Sequence, residues 1–87
     1  MAKIGAEMGQ MQELQSTFNQ QSQAVQSLTA AINGKVNGTT WEGPAADRFR
    51  TAWESQFQPT LRELQAALQE AAQEVGRRHE ALMQAGS

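Results

Sequence analysis

The chain contains no cysteine and only one histidine, and these two shortages exclude several kinds of site. A chain without cysteine has no disulfide, no thiolate ligand for zinc and no cysteine nucleophile. One histidine cannot supply a histidine-rich metal site or the paired Glu-x-x-His motifs of a di-iron bundle. We therefore expect no bound metal and no cofactor.

Long apolar runs and an excess of positive charge are also missing. At most three apolar residues follow one another, whereas a membrane-spanning helix needs about 20 and the core of a signal peptide about 7–15. The formal net charge is -2, whereas nucleic-acid-binding proteins carry a basic face. We expect neither stable membrane insertion nor nucleic-acid binding. If the protein is exported, we expect it to leave the cell without a cleaved signal peptide.

The first half of the chain has the pattern of one long amphipathic helix over about residues 4–37. Its strict repeat of seven predicts left-handed, bundle-like packing. No charged residue occurs from Leu14 to Gly34. This uncharged face is either covered by another protein or simply a glutamine-rich solvated surface. The apolar residues of the repeat and its companion line are Ile4, Met11, Leu14, Phe18, Val25, Leu28 and Ile32.

A turn at about residues 38–43 separates this helix from a second one over about residues 44–83. We expect Gly34 or Gly38 to close the first helix in the left-handed conformation, and Gly43 to cap the second with Pro44 at its first position. Pro59 predicts a bend rather than a break. The apolar stripe of the second helix includes Phe49, Trp53, Phe57, Leu61, Leu64, Leu68 and Val75. Helical ion-pair spacing occurs at Asp47–Arg50, Arg50–Glu54 and Glu74–Arg78.

Two long helices joined by a short turn predict an all-α fold, a single antiparallel two-helix hairpin. A helix of about 34 residues is about 50 Å long, so two of them form a thin rod in which each helix touches only one neighbour. Such a rod cannot enclose the whole apolar stripe of the second helix. The simplest completion is a second hairpin, which gives a dimeric four-helix bundle.

The aromatic residues are concentrated around the turn. Phe49, Trp53 and Phe57 step by four and are expected to line one face, mainly as core. Trp41 lies in the turn itself, where it either plugs the end of the hairpin or is offered to a partner. The single histidine, His79, has no nucleophile or orienting acid that the sequence assigns to it, so we expect a surface role and no enzymatic activity.

The turn motif resembles that of the WXG family, the early-secreted-antigen-like small proteins that are substrates of bacterial type VII secretion. The resemblance rests on chain length, on the two-helix plan and on a central Trp-x-Gly. The chain is similar to actinobacterial members in particular in the string Trp41-Glu42-Gly43-Pro44-Ala45-Ala46-Asp47-Arg48-Phe49. It implies hairpins that pair with themselves or with a paralogous hairpin. It also implies export of the folded dimer by a membrane ATPase machine, with Trp41 and Gly43 as the turn and secretion motif.

The sequence departs from that family at one position. The family's export motif is a Tyr followed four residues later by an acidic residue, near the end of the second helix. This chain has no Tyr, and His79 is followed at that distance by Met83. Either a partner supplies the motif, which implies a heterodimer, or the signal is degenerate here.

Besides a secreted hairpin that works as a dimer, two other hypotheses remain open at the level of sequence. The chain could be a cytoplasmic helical adaptor or scaffold with no role in secretion, which fractionation of cells would distinguish. A third hypothesis is a small-ligand site inside the bundle with the aromatic residues as its wall, although no convergent polar group orients a ligand.

Overall fold

A computed structural model describes residues 6–86 of the chain. Helix α1 spans Met8–Gly38, helix α2 spans Pro44–Ala52, and a π-helical turn over Trp53–Phe57 joins α2 to helix α3, Gln58–Gly86. α1 packs along α3 to form a rod of 66 × 19 × 17 Å. The predicted all-α helical hairpin is confirmed, and residues 6–86 contain no strand. Ile4, the first residue of the predicted seam, lies outside the described residues.

Both ends of α1 are closed by side chains. The Glu7 carboxylate accepts hydrogen bonds from the backbone N–H groups of Gly9, at 3.1 Å, and Gln10, at 2.6 Å. At the other end, the hydroxyl and the N–H of Thr39 both donate to the carbonyl of Lys35. The prediction of a left-handed glycine cap is wrong, because α1 runs on through Gly38 and Thr39 caps it with extended backbone.

The start of α2 follows the predicted chemistry. Gly43 is the N-cap and Pro44 stands in the first turn, where the missing N–H of proline costs no helical hydrogen bond. The N–H of Asp47 donates to the carbonyl of Gly43 at 3.1 Å and closes this first turn. The Asp47 carboxylate therefore lies near the positive end of the helix dipole.

The π-helical turn over Trp53–Phe57 explains why the apolar register drifts between Trp53 and Leu61. Within it, the N–H of Gln58 donates to the carbonyl five residues back, that of Trp53, instead of four residues back. A proline has no N–H to give, and its ring collides with the carbonyl four residues earlier in a regular helix. The wider turn directly before Pro59 relieves that collision, and the helix continues without a break.

The line along which α1 meets α3 is made of small and polar residues. Ser22, Thr29 and Ala72 are buried along it, and the Ser22 hydroxyl donates to the carbonyl of Gln65 at 3.2 Å across the two helices. The Gln15 side-chain amide packs over Gly76, with its nitrogen 2.6 Å from the position that a Cβ at Gly76 would occupy. Apart from Trp53, the hairpin therefore encloses little large apolar surface of its own. We call this line the polar seam.

Of the three ion pairs that the helical spacing predicts, the structure contains one. Glu74 binds Arg78 at 2.8 Å, as predicted, and also Arg77 at 2.6 Å. The hydrogen bond from Arg77, together with the positive charges of Arg78 and Arg77, lowers the pKa of the exposed Glu74 carboxyl below its usual value. The predicted pairs of Arg50 with Asp47 and Glu54 are wrong, because the Arg50 guanidinium turns to backbone carbonyls instead.

A candidate partner-recognition surface at the turn

The Arg50 side chain binds the turn between α1 and α2 at three carbonyls. Its guanidinium donates to the carbonyl of Val36 at 3.2 Å, to that of Thr39 at 2.8 Å and to that of Trp41 at 2.8 Å. These carbonyls belong to the last turn of α1 and to the residues that follow it, where helical acceptors lack intrahelical donors. A planar guanidinium with five N–H donors can serve several such acceptors at once.

Gly43 occupies a backbone conformation that other residues rarely adopt. Its φ is 111° and its ψ is 175°, and it is the one positive-φ residue among residues 6–86. A Cβ at this position would meet no atom within 4 Å, so the constraint is conformational rather than one of space. A side-chain-bearing residue would be strained here. This strain is the physical reason for a glycine two positions after Trp41.

Trp41 lies on the surface, at one end of a short aromatic ladder. Its ring centroid is 5.8 Å from that of Phe49, which in turn is 6.4 Å from that of Phe57, both in tilted geometry. All three side chains remain between 41% and 48% exposed. Trp41 therefore keeps about half of its surface open to solvent or to a partner.

Trp53 does not share this surface with Phe49 and Phe57, so the predicted single aromatic face is wrong. Trp53 is 5% exposed, and its indole N–H donates to the side-chain oxygen of Asn33 on α1 at 3.0 Å. The π-helical turn begins at Trp53 and changes the register of the residues after it. Trp53 therefore packs against α1, whereas Phe49 and Phe57 stay partly exposed.

An apolar groove of about 360 Å³ lies beside Trp41, and we call it the turn-end groove. Its wall joins residues of α1 to the turn and to α2, so apolar side chains of both helices meet on one side of the hairpin. Lys35 supplies the one charged side chain of the wall. The lining residues are Ala31, Ile32, Lys35, Val36, Thr39, Trp41 and Phe49.

Exposed large apolar residues extend away from this groove along both helices. Leu14, Leu28 and Leu64 are each 46–48% exposed. The residue that follows each leucine in sequence faces the other helix; these residues are Gln15, Thr29 and Gln65. Each leucine therefore lies about 100° around its helix from the polar seam. Because the helices are antiparallel, the same offset places all three leucines on the same side of the rod. We call this side, with Phe49 and Phe57, the apolar stripe.

The other predicted interface residues lie between the polar seam and the apolar stripe. They are half-buried, and hence only partly covered by the other helix of the same chain. These residues are Met11, Phe18, Val25, Ile32, Leu61, Leu68 and Val75. Sequence reasoning missed the polar seam and Arg50. A signal for the polar seam was available in the sequence, since one heptad position of α1 holds only small or uncharged residues. These residues are Met8, Gln15, Ser22, Thr29 and Val36.

A second groove of about 860 Å³ lies at the opposite end of the hairpin, and it contains the half-buried His79. Glu80, Arg77 and Met83 also line it, so charges of both signs surround the histidine. Within residues 6–86 there is no group of three or more His, Asp or Glu residues that could hold a metal ion. None of the helices in the same range is both long and apolar enough to cross a membrane.

The fold and the turn define the class of the protein. It is a small α-helical hairpin whose turn carries an exposed Trp41 and a conformationally required Gly43. The family model described as proteins of 100 residues with WXG, WXG100, matches residues 3–87, and the chain belongs to this family. Its members are small type VII secretion substrates, not enzymes, and typically pair as helical hairpins with partners. Comparisons with curated proteins and with solved structures gave no match.

Proposed function

We propose that this chain pairs through its apolar stripe with a second helical hairpin and is exported as a folded dimer by type VII secretion. It then acts as an effector or as the co-secreted partner of one. The observation that carries this proposal is the apolar stripe, which runs beside a seam of small and polar residues. The partner is a second copy or a paralogous hairpin, and the membrane ATPase of the secretion machine recognises the pair.

The energetics of the stripe favour pairing. Burying a leucine or phenylalanine side chain completely contributes about 1.5–3 kcal/mol, and the five side chains of the stripe each retain nearly half of that exposure. Each therefore contributes roughly 1 kcal/mol when a partner covers it. The half-buried residues beside the seam, such as Phe18 and Leu68, gain cover in the same step. A second hairpin with its own apolar stripe is the matching surface.

Trp41 and the turn-end groove are the part of this surface that we assign to recognition. The exposed ring of Trp41 contacts Phe49, and Ile32 and Val36 line the groove beside it. In an antiparallel pair of hairpins, the helix ends of the partner lie next to this turn. A partner that carries the family's Tyr motif would complete the export signal there, since this chain has no Tyr.

Substitution of Trp41 in the bacterium that encodes the chain tests this proposal. We expect the wild-type protein in the culture medium only when the secretion ATPase is functional. Trp41→Ala should reduce the exported fraction at least tenfold while the far-UV circular dichroism of the purified chain stays unchanged, because the ring is largely on the surface. Thr40→Ala is the matched control, since Thr40 is exposed in the same turn.

Two outcomes would contradict the proposal. Protein that stays inside the cell whether or not the ATPase is active would favour the cytoplasmic adaptor. Loss of helical structure in Trp41→Ala would make Trp41 a core residue and remove the basis for its role in recognition.

A further inference from the structure

We infer that Arg50 is a positioning residue that holds the Trp41-Glu42-Gly43 turn in the conformation that presents Trp41, an inference that rests on the function proposed for Trp41. Its guanidinium reaches across the turn to three carbonyls, those of Val36, Thr39 and Trp41. The last of these belongs to the residue whose ring is presented.

Few other hydrogen bonds fix the residues between the two helices. Thr39 is bound back to Lys35, and the carbonyl of Gly43 accepts from Asp47 at the start of α2. Between these two anchors, the carbonyl of Trp41 is bound by Arg50. The Trp41 ring meanwhile rests on Phe49, the neighbour of Arg50 in α2. Two consecutive residues of α2 therefore set the backbone and the ring of Trp41.

The chemistry of this contact requires arginine. Val36 lies in the last turn of α1, and Thr39 and Trp41 follow its end, where the helix dipole and unpaired carbonyls favour a cation. Hydrogen bonds from a charged donor are stronger than neutral ones. A lysine ammonium is a compact charge without the rigid fork of the guanidinium, so it cannot be expected to span carbonyls from Val36 to Trp41.

The first test is nuclear magnetic resonance of the Arg50→Met chain in the state in which the wild-type chain is helical, either alone or paired with its unlabelled partner. Trp41 and Trp53 each give an indole N–H signal, so the buried Trp53 serves as an internal reference. We expect loss of the nuclear Overhauser contacts between Trp41 and Phe49 and a shift of the Trp41 signal toward its unfolded position, with the Trp53 signal unchanged. Arg48→Met is the matched control, since Arg48 is exposed on the same helix and should leave both signals in place.

The second test measures whether Arg50 acts through Trp41. Export of Arg50→Met should fall to the level of Trp41→Ala, and the double variant should be no worse than Trp41→Ala alone. Additive losses would show that Arg50 acts independently of Trp41 and would overturn the inference. An unchanged Trp41 signal in Arg50→Met would overturn it directly. If Arg50→Met proves unfolded by circular dichroism, Arg50→Lys decides the same question, with partial loss of the Trp41–Phe49 contacts expected.

The two proposals fail separately in this design. If Arg50→Met releases the turn but Trp41→Ala is exported normally, the recognition role of Trp41 is wrong and Arg50 holds a turn of another function. If Trp41→Ala blocks export but Arg50→Met leaves the turn intact and is exported, the role of Trp41 stands and that of Arg50 is wrong.

Discussion

Single residues in the turn act through two different constraints. Gly43 is needed for a backbone conformation, and Arg50 is needed for its hydrogen bonds. The first constraint is local in sequence, so Gly43 before Pro44 could be predicted as a helix start. The second was not predictable, because the acceptors of Arg50 lie 9 to 14 residues earlier in the chain. Nearby acids at Asp47 and Glu54 offered a competing local interpretation.

Gly43→Ala should destabilise the chain because its φ of 111° is unfavourable for a residue with a Cβ. We expect a loss of about 1–3 kcal/mol in the free energy of unfolding. Gly34→Ala is the control, since Gly34 lies inside α1 with nothing within 4 Å of the added atom. It should stabilise the helix by roughly 0.5–1 kcal/mol. Urea denaturation of both variants measures the difference, and equal effects of the same sign would contradict the conformational role of Gly43.

At the scale of whole helices, the seven-residue repeat predicts that α1 is amphipathic but does not specify which part of its apolar sector faces α3. Close contacts make that choice. Ser22 bonds to Gln65, and the Gln15 side chain lies against Gly76, so the small and polar line turns inward. The larger residues then lie beside the contact. These contacts join residues more than 40 positions apart, which is why sequence periodicity alone could not predict them.

Trp53 and Asn33 form a hydrogen bond between two side chains that links the π-helical turn to α1. Trp53→Phe and Asn33→Ala should each destabilise the chain, and the double variant should lose less than the sum. The coupling free energy expected for such a bond is about 0.5–1.5 kcal/mol.

Chemical denaturation of the three variants gives this coupling. Asn19→Ala, at an exposed position of α1, is the control partner and should combine additively with Trp53→Phe. Additive behaviour of the Asn33 pair as well would contradict the assignment of this bond as a link between the helices.

At the scale of the whole molecule, the hairpin is a rod about 19 Å across with one apolar side. The expectation of a partner follows from this shape, because two helices cannot enclose a wide stripe. The particular side that remains open could not be predicted, because it depends on the polar seam and on the π-helical turn before Pro59.

A charge placed on the stripe should separate pairing from folding. Leu64→Lys should weaken association at least tenfold, because an unpaired ammonium would be buried against the partner. Ala66→Lys is the control, since it is exposed and lies about 200° around the helix from Leu64. Equal association of Leu64→Lys and the wild-type chain would show that the stripe is not the pairing surface.

The most direct measurement is the mass of the purified chain by light scattering on a sizing column over a range of concentrations, with far-UV circular dichroism on the same peak. If the stripe requires a partner, strongly helical, cooperatively folded protein should appear only in a pair. A self-pairing chain gives a mass near twice 9.5 kDa, whereas a chain that needs a paralogue is poorly helical alone and becomes helical when that paralogue is added. A cooperatively unfolding helical monomer, with a stability independent of concentration, would contradict the proposal.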